Sequence, residues 1–414
     1  MNDELPGRSR LRSNRRFAQV WAATAASGIG DGLVFVAFPL LLVSTGDPLV
    51  TAGVLIAGRL PWLLLGLPAG AIVDRRDHRS LLTLVELGRA ALLLGFAVVV
   101  VLGFHSVPMV LGTVFLIGVG ETFFLSGSQA ALPSLVPRQD LAQANGSLFA
   151  VQTATENLIG PAIAGLLFAV AVAVPFFVDA ASFTLSAVLV MLAIPTTTRL
   201  PPPRRPLRRD IKEGLTYFRG HPALRSTAAL IAMLAFCQAM VFGVVVLFAT
   251  DVLGLSSVGF GLLVAGAAMG NVIGGALAGR LDGRFGPARL VPVTAVVAAI
   301  GYLAAGLTSN PFVSGAAFAV EAVAVAICSV STIAFRQRAV PMELLGRVTN
   351  VYRFFIDGAA PVGALVGGVL AAATNLRVPF VAAAVGDLLV VALLGPGLVR
   401  ALSDGHARPV RVSA

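Results

Sequence analysis

The sequence predicts an all-α membrane protein with twelve transmembrane helices in two pseudo-symmetric six-helix bundles. Three observations carry that expectation: how apolar the chain is, where polar turns interrupt it, and where its basic residues fall. Of 414 residues, 57% are hydrophobic and only 12% charged, a composition that would leave a water-soluble chain aggregated. Apolar runs of 18 residues or more are long enough to cross a bilayer as helices. Transmembrane strands would show alternating polarity over about ten residues, and no such alternation occurs.

Twelve runs fit, near residues 17–43, 49–72, 80–103, 107–131, 146–170, 174–194, 225–249, 257–280, 288–308, 311–335, 348–373 and 378–400. Turns rich in Gly, Pro, Ser or Asn separate them, such as Thr45-Gly-Asp-Pro48, His105-Ser-Val-Pro108 and Ser309-Asn-Pro311. Five of the six turns from an odd span to an even one contain no Lys or Arg, and the last has Arg377 alone. The even-to-odd loops and the termini hold 26 of the 30 basic residues. By the positive-inside rule, both termini and the even-to-odd loops are expected to be cytoplasmic. The same distribution argues against a nucleic-acid partner, which the net charge of +10 would otherwise invite, because the basic residues lie between apolar runs and not on one face. The N-terminal MNDELPGRSRLRSNRR lacks the small-residue cleavage site of a signal peptide, so the first run is expected to be retained.

The longest loop divides the chain into a bundle over 1–198, a central loop over 199–222 and a second bundle over 223–414. It opens with Pro201-Pro-Pro-Arg-Arg-Pro206, a polyproline-type spacer or a disordered tether. Farther on, Ile211, Leu215 and Phe218 recur at i, i+4 and i+7, which predicts a short amphipathic helix lying on the inner leaflet. The halves also repeat. Gly70-x3-Asp74-Arg75-x-Asp77-x-Arg79 follows span 2, and Gly279-x3-Gly283-Arg284-x-Gly286-x-x-Arg289 follows span 8, 209 residues later. Duplicated halves mark secondary-transporter folds.

These residues resemble the major facilitator superfamily, whose signature loop has the pattern seen at 70–79. Three further stretches resemble its branch of siderophore exporters and macrolide-efflux proteins. They are Leu132-Pro-Ser-Leu-Val-Pro137 with Leu141-Ala-Gln-Ala-Asn145, Lys212-Glu-Gly-Leu-Thr-Tyr-Phe-Arg219 with His221-Pro222, and Val340-Pro-Met-Glu-Leu-Leu-Gly-Arg-Val348. Span 5 contains Glu156-Asn-Leu-Ile-Gly-Pro-Ala-Ile-Ala-Gly165, similar to the family's antiporter motif at Gly160, Pro161 and Gly165, with Ala164 in place of a glycine. That similarity implies export. Physically, Pro161 frees a backbone carbonyl and the glycines permit close helix contact, so plain small-residue packing is the other reading. The resemblance further implies that Asp74 accepts hydrogen bonds from the N-terminus of span 11. A cytoplasmic gate would then comprise Gly70, Asp74, Arg75, Arg79, Arg353 and Asp357. Arg353 and Asp357 are four apart and can pair along one helix; Glu86 and Arg89 are three apart, and both pairs are placed near the gate. Simple positive-inside anchoring is the alternative for the arginines.

A charge at mid-bilayer costs about 2.5–3.5 kcal/mol on insertion scales, so acidic residues there are functional candidates. Asp31 lies halfway along span 1, where Thr24, Ser27 and Asp31 share a face that reads as wet. Glu121 is in span 4, Glu156 in span 5 above Gln152, and Glu321 in span 10. The resemblance implies that spans 1, 4, 7 and 10 line a central cavity, which adds Gln238. Burial disfavours the charged form of a carboxyl group, so such a group can trade a proton for a cationic substrate. For Asp31 the rival is a structural salt bridge with Arg59. Asp179 and Asp387 are read as structural.

No Walker loop, nucleophile elbow or His/Cys cluster occurs; Cys237 and Cys328 lie inside apolar runs, which argues against a disulfide framework or a zinc site. The expectation is therefore a non-enzymatic, proton-coupled exporter of small amphipathic molecules. It needs no cofactor and no metal, and works as a monomer in the bacterial cytoplasmic membrane. The alternatives are a dedicated exporter of one metabolite such as a siderophore, and a non-transporting sensor or scaffold.

Overall fold

The structure, a computed structural model, describes residues 14–73, 76–195 and 207–404. Asp74, Arg75 and the proline spacer at 201–206 lie outside the described residues, as does the Ile211 side chain. Among the described residues, regular structure is helical throughout, and twelve helices are long and apolar enough to cross a membrane. Spans 1 to 4 are Arg15–Leu42, Pro48–Val73, His78–Val101 and Val107–Ala131. Span 5 runs through Leu141–Ala154, Thr155–Ile159 and Gly160–Val170, and span 6 is Val174–Ala193. A connecting helix, Leu207–Gly220, leads to span 7, Pro222–Phe242. Spans 8 to 12 are Ser257–Phe285, Pro287–Leu307, Pro311–Ala339, Met342–Ala373 and Val378–Asp404. Span 7 is shorter than the sequence implies: its helix stops at Gly243, a poor helix former, and Val245–Leu247 resumes after the break.

Helix starts follow local chemistry. Spans 2, 7, 9 and 10 begin on proline, whose missing N–H costs nothing at a first turn. Asn14 accepts the Phe17 N–H at 3.2 Å, and Asp77 accepts the Ser80 N–H at 2.9 Å. The position matching Asp77 in the second signature copy is Gly286, which starts span 9 at φ +72°, a conformation that glycine alone adopts freely.

The helices form two compact units. The first holds spans 1 and 3–6, most of span 2 and the opening turns of span 8; the second holds the remainder. In the first unit, Phe38, Phe96 and Phe176 of spans 1, 3 and 6 form a buried cluster with ring centroids 5.0–5.4 Å apart. Span 1 meets span 5 through Gly28 and Gly32. A Cβ at Gly32 would lie 2.5 Å from the Glu156 carbonyl oxygen, and one at Gly160 would lie 2.6 Å from the Gly32 Cα. Pro161 has no N–H to give, and just before it span 5 widens into one π-turn, in which the Gly160 N–H reaches the Thr155 carbonyl. Gly165 faces the opening of span 8, where its Cβ would stand 2.3 Å from the Ser257 carbonyl oxygen.

In the second unit, Gly363 and Gly367 bring span 11 onto span 7; a Cβ at either would lie 2.1 Å from a span 7 carbonyl oxygen. The connecting helix corrects the inner-leaflet expectation. Phe218 is buried among Leu224, Ala228, Val348 and Tyr352, with Leu215 packed on the same cluster. Protein, not lipid, covers that part of its apolar face.

A methyl group at Gly160 must displace backbone, so Gly160→Ala is expected to cost about 1–3 kcal/mol. Gly88→Ala, whose Cβ would meet nothing within 4 Å, is expected to stay within about 0.5 kcal/mol. Thermal unfolding of the two variants in detergent measures the difference.

Candidate functional site: a buried charge cluster

The charges of the first unit gather around Arg89 of span 3, whose side chain is 2% exposed. Its Nη2 pairs with Asp31 of span 1. Its Nη1 donates to Glu86 Oε1 at 3.1 Å and to Ser27 Oγ at 3.2 Å. The guanidinium lies 3.8 Å over the Phe183 ring of span 6, a cation–π contact. The stem passes over Gly120 of span 4, where a Cβ would sit 2.5 Å from Arg89 Cδ. Asp179 of span 6 is fully buried and fills the space left by Gly30, with Ser182 donating to its Oδ1 at 3.1 Å. Among the described residues, four buried atoms of this cluster have no hydrogen-bond partner: Glu86 Oε2, Arg89 Nε, Asp179 Oδ2 and Ser186 Oγ.

Glu121 and Glu156 stand differently. Both are half-buried. Gln152 Nε2 donates to Glu156 Oε2 at 3.2 Å, while Glu121 makes no hydrogen bond or salt bridge among the described residues. Glu121 is repelled by Glu156 and Asp31 and attracted by Arg89 and Arg59. Arg59 is exposed on span 2 and also attracts Glu156. Among the described residues, Arg89 is thus the cation shared by Asp31, Glu86, Glu121, Glu156 and Asp179, and Arg59 adds its attraction to Glu121 and Glu156.

Four sequence expectations need correction. The salt bridge weighed as the rival role for Asp31 forms with Arg89, not Arg59, because the short arc of span 1 bearing Ser27 and Asp31 turns toward span 3. The face read as wet is closed at Thr24 and Ser27, 4% and 2% exposed, and keeps partial exposure only at Asp31. Thr24 bonds its own helix at the Val20 carbonyl, and Arg89 covers Ser27. Glu321 does not line an open face. It is 1% exposed, packs on Gly301 of span 9, and accepts the Tyr302 hydroxyl at 2.6 Å. Arg89 itself, expected near the gate, sits mid-span. Its charge within an apolar run was the signal for a larger role, and the Gly28-x3-Gly32 spacing was the unread signal for the span 1–span 5 contact.

Of the gate residues, Gly70 and Arg79 are half-buried. Arg353 Nε lies 3.7 Å from Asp357 Oδ2, the pairing expected along one helix. Asp282, beside Gly283 of the second signature copy, accepts from Arg338 at 3.2 Å within its own unit. Gln238 is half-buried on span 7. No group of three His, Cys, Asp or Glu side chains among the described residues is placed to hold a metal ion.

The chain matches the family described as transmembrane secretion effector over residues 9–407. It is 25% identical over 370 residues to macrolide efflux protein A of Streptococcus pyogenes, covering 86% of this chain and 89% of that one. It is 27% identical over 398 residues to the enterobactin exporter EntS of Citrobacter koseri, covering 93% and 92%. In fold it is similar to an inward-facing bacterial homologue of the human lysosomal transporter Spinster, with TM-score 0.75 and 17% identity over 98% of this chain and all of that one. A bacterial homologue of the iron transporter ferroportin aligns with TM-score 0.73 and 17% identity over 96% and 100%.

Removing Asp31 leaves Arg89 with Glu86 as its one salt-bridge partner among the described residues. Asp31→Asn is therefore expected to destabilise toward the lower end of the about 3–5 kcal/mol that breaking a buried pair costs. Glu121→Gln, which breaks no pair, is expected to change stability by less than about 0.5 kcal/mol. Melting curves in detergent check the order, and Asp31→Asn with Arg89→Gln should recover part of the loss.

Proposed function

The chain belongs to the transmembrane secretion effector family of the major facilitator superfamily of transporters, and on that premise we propose that it exports small amphipathic molecules in exchange for protons. The observation that most supports this is the charge imbalance of the first unit: among the described residues, five carboxyl groups share one buried guanidinium, that of Arg89, and two of them are also drawn by the exposed Arg59. An unmatched carboxylate in such surroundings is costly. Protons meet the excess in one part of the cycle and a cationic substrate in the other. Glu121 and Glu156 are the exchange groups, since both are half-buried and neither is tied to an arginine by a salt bridge. The Asp31–Arg89 pair is the fixed charge against which they work. Glu321, held by Tyr302, takes no part. Because proton and substrate need the same carboxylates, their opposite fluxes are coupled.

The two six-span halves carry out alternating access. The Asp74 loop latches the cytoplasmic end, and Gly160, Pro161 and Gly165 let span 5 adjust. The chain acts as a monomer in the bacterial cytoplasmic membrane, with both termini and the even-to-odd loops inside. It needs no cofactor and has no nucleic-acid partner. Likeness to a macrolide efflux protein favours a broad range of amphiphiles; likeness to an enterobactin exporter favours a second reading, export of a single metabolite.

Uptake into inside-out vesicles decides. A panel of cationic dyes and macrolides is expected to accumulate only under a proton gradient and to be released by an uncoupler. Glu121→Gln and Glu156→Gln are each expected to lower the rate about tenfold, the loss of one contact worth about 1.4 kcal/mol. Accumulation of one compound alone would favour the second reading. Uptake indifferent to both the gradient and the variants would refute the exchange mechanism.

A further inference from the structure

Two stretches quoted for their resemblance, 212–219 and 340–348, have no part in the exchange site, yet they meet within the second unit. Glu213 of the connecting helix pairs with Arg347 of span 11. One residue on, Gly214 lies against the backbone of the same arginine: a Cβ there would sit 2.9 Å from the Arg347 carbonyl oxygen. One turn on, the Tyr217 hydroxyl donates to the Ala339 carbonyl at 3.1 Å, at the C-terminal end of span 10. Partial burial pushes the Tyr217 phenol above its ordinary pKa, so it remains a donor through neutral pH. His221 stacks on the Tyr217 ring with centroids 4.0 Å apart, and its Nδ1 lies 2.6 Å from the Tyr217 carbonyl.

Phe218 completes the joint, edge-on to Tyr352 at 5.7 Å and stacked on Phe355 at 5.7 Å. Tyr352 in turn donates to the Leu224 carbonyl at 2.6 Å, at the start of span 7. Leu344 and Leu345, in the first turn of span 11, pack on the same cluster. The connecting helix therefore touches the end of span 10, the start of span 11 and the start of span 7 together. The contacts include a charge pair, a glycine close approach and a carbonyl cap, which a loose tether would not need. A glycine at 214 has one evident use: any larger residue would push the helix off the span 11 backbone.

We propose that the connecting helix is a brace that sets the position of the first turns of span 11, with Glu213, Gly214, Tyr217 and Arg347 as positioning residues for the transport cycle. The inference rests on the transport reading, in which the bundle that holds span 11 rearranges as access alternates. A brace that fixes those turns sets how readily that bundle rearranges. It acts on the rate of conformational exchange and not on the substrate, which meets other residues.

The test is a charge-reversal cycle in the full chain: Glu213→Arg, Arg347→Glu and the double variant. Initial rates of uptake of a cationic dye into inside-out vesicles are measured against dye concentration. Each single variant is expected to lower the maximal rate about tenfold with the half-saturating concentration within about twofold, and the double variant to recover most of the rate. A second readout does not need a transported compound. Spin labels on Arg76→Cys and Arg280→Cys, both exposed positions, report the distance between the two signature loops; Cys237 and Cys328 are buried and stay unlabelled. The single variants are expected to shift the distance distribution and the double variant to restore it. Should the reversals fold poorly, Tyr217→Phe, which removes only the hydroxyl, is expected to shift it in the same sense. An unchanged distribution, or a double variant no better than the singles, overturns the brace. Failure to find any transported compound together with a shifted distribution would instead remove the exchange reading and leave the brace standing.

Discussion

A guanidinium buried among helices is the constraint from which the first unit is built. Arginine does not shed its charge in a protein, so once buried Arg89 must be surrounded by acceptors or by an aromatic face. The surrounding groups come from spans 1, 3 and 6: Ser27 and Asp31, Glu86, and Phe183. Two glycines are consequences of this arrangement. Gly120 lets the arginine stem cross span 4, and Gly30 leaves room for Asp179 against span 1. Small residues that look like loose packing in the sequence are here the imprint of large side chains on neighbouring helices.

Span 5 shows backbone chemistry and charge acting together. The wide turn before Pro161 spans Thr155–Ile159 and so contains Glu156. A π-turn rotates the residues within it relative to those of a regular helix. The direction in which Glu156 is presented therefore depends on a proline five residues later. The glycines on either side of that proline do separate work, Gly160 on span 1 and Gly165 on span 8. The stretch that resembles an antiporter motif is thus both a packing surface and the support of a carboxyl group, and the two readings open at the sequence level are not exclusive.

The span pattern was legible because bilayer length and turn composition act locally, and the twelve runs fall within a few residues of the twelve helices except at the break after Phe242. Partners were less legible. Glu86 and Arg89 could be paired because three residues on a helix bring them to one face; Asp31 and Arg89, 58 residues apart, could not. Arg59 was as reasonable a partner by position, and only the rotation of span 1 decided between them. The connecting helix failed for a different reason. An apolar stripe at i, i+4 and i+7 says that something apolar covers it, but periodicity cannot distinguish lipid from Leu224 and Tyr352.

The repeat visible in the sequence does not extend to the chemistry. Where the first unit buries an arginine among carboxylates, the second buries Glu321 beneath a phenol and holds its helices by glycine contacts onto span 7 and span 10 carbonyls. Arg353, within span 11, is exposed and pairs along its own helix with Asp357. At the signature loops, an aspartate side chain caps span 3 while a left-handed glycine starts span 9. Fixed charge resists rearrangement, because separating a desolvated pair is costly; close glycine packing resists bending but carries no charge penalty when whole helices move as a block. The first unit is thus held by charge that cannot leave its place, and the second by close backbone packing, with the connecting helix joining the ends of spans 7, 10 and 11.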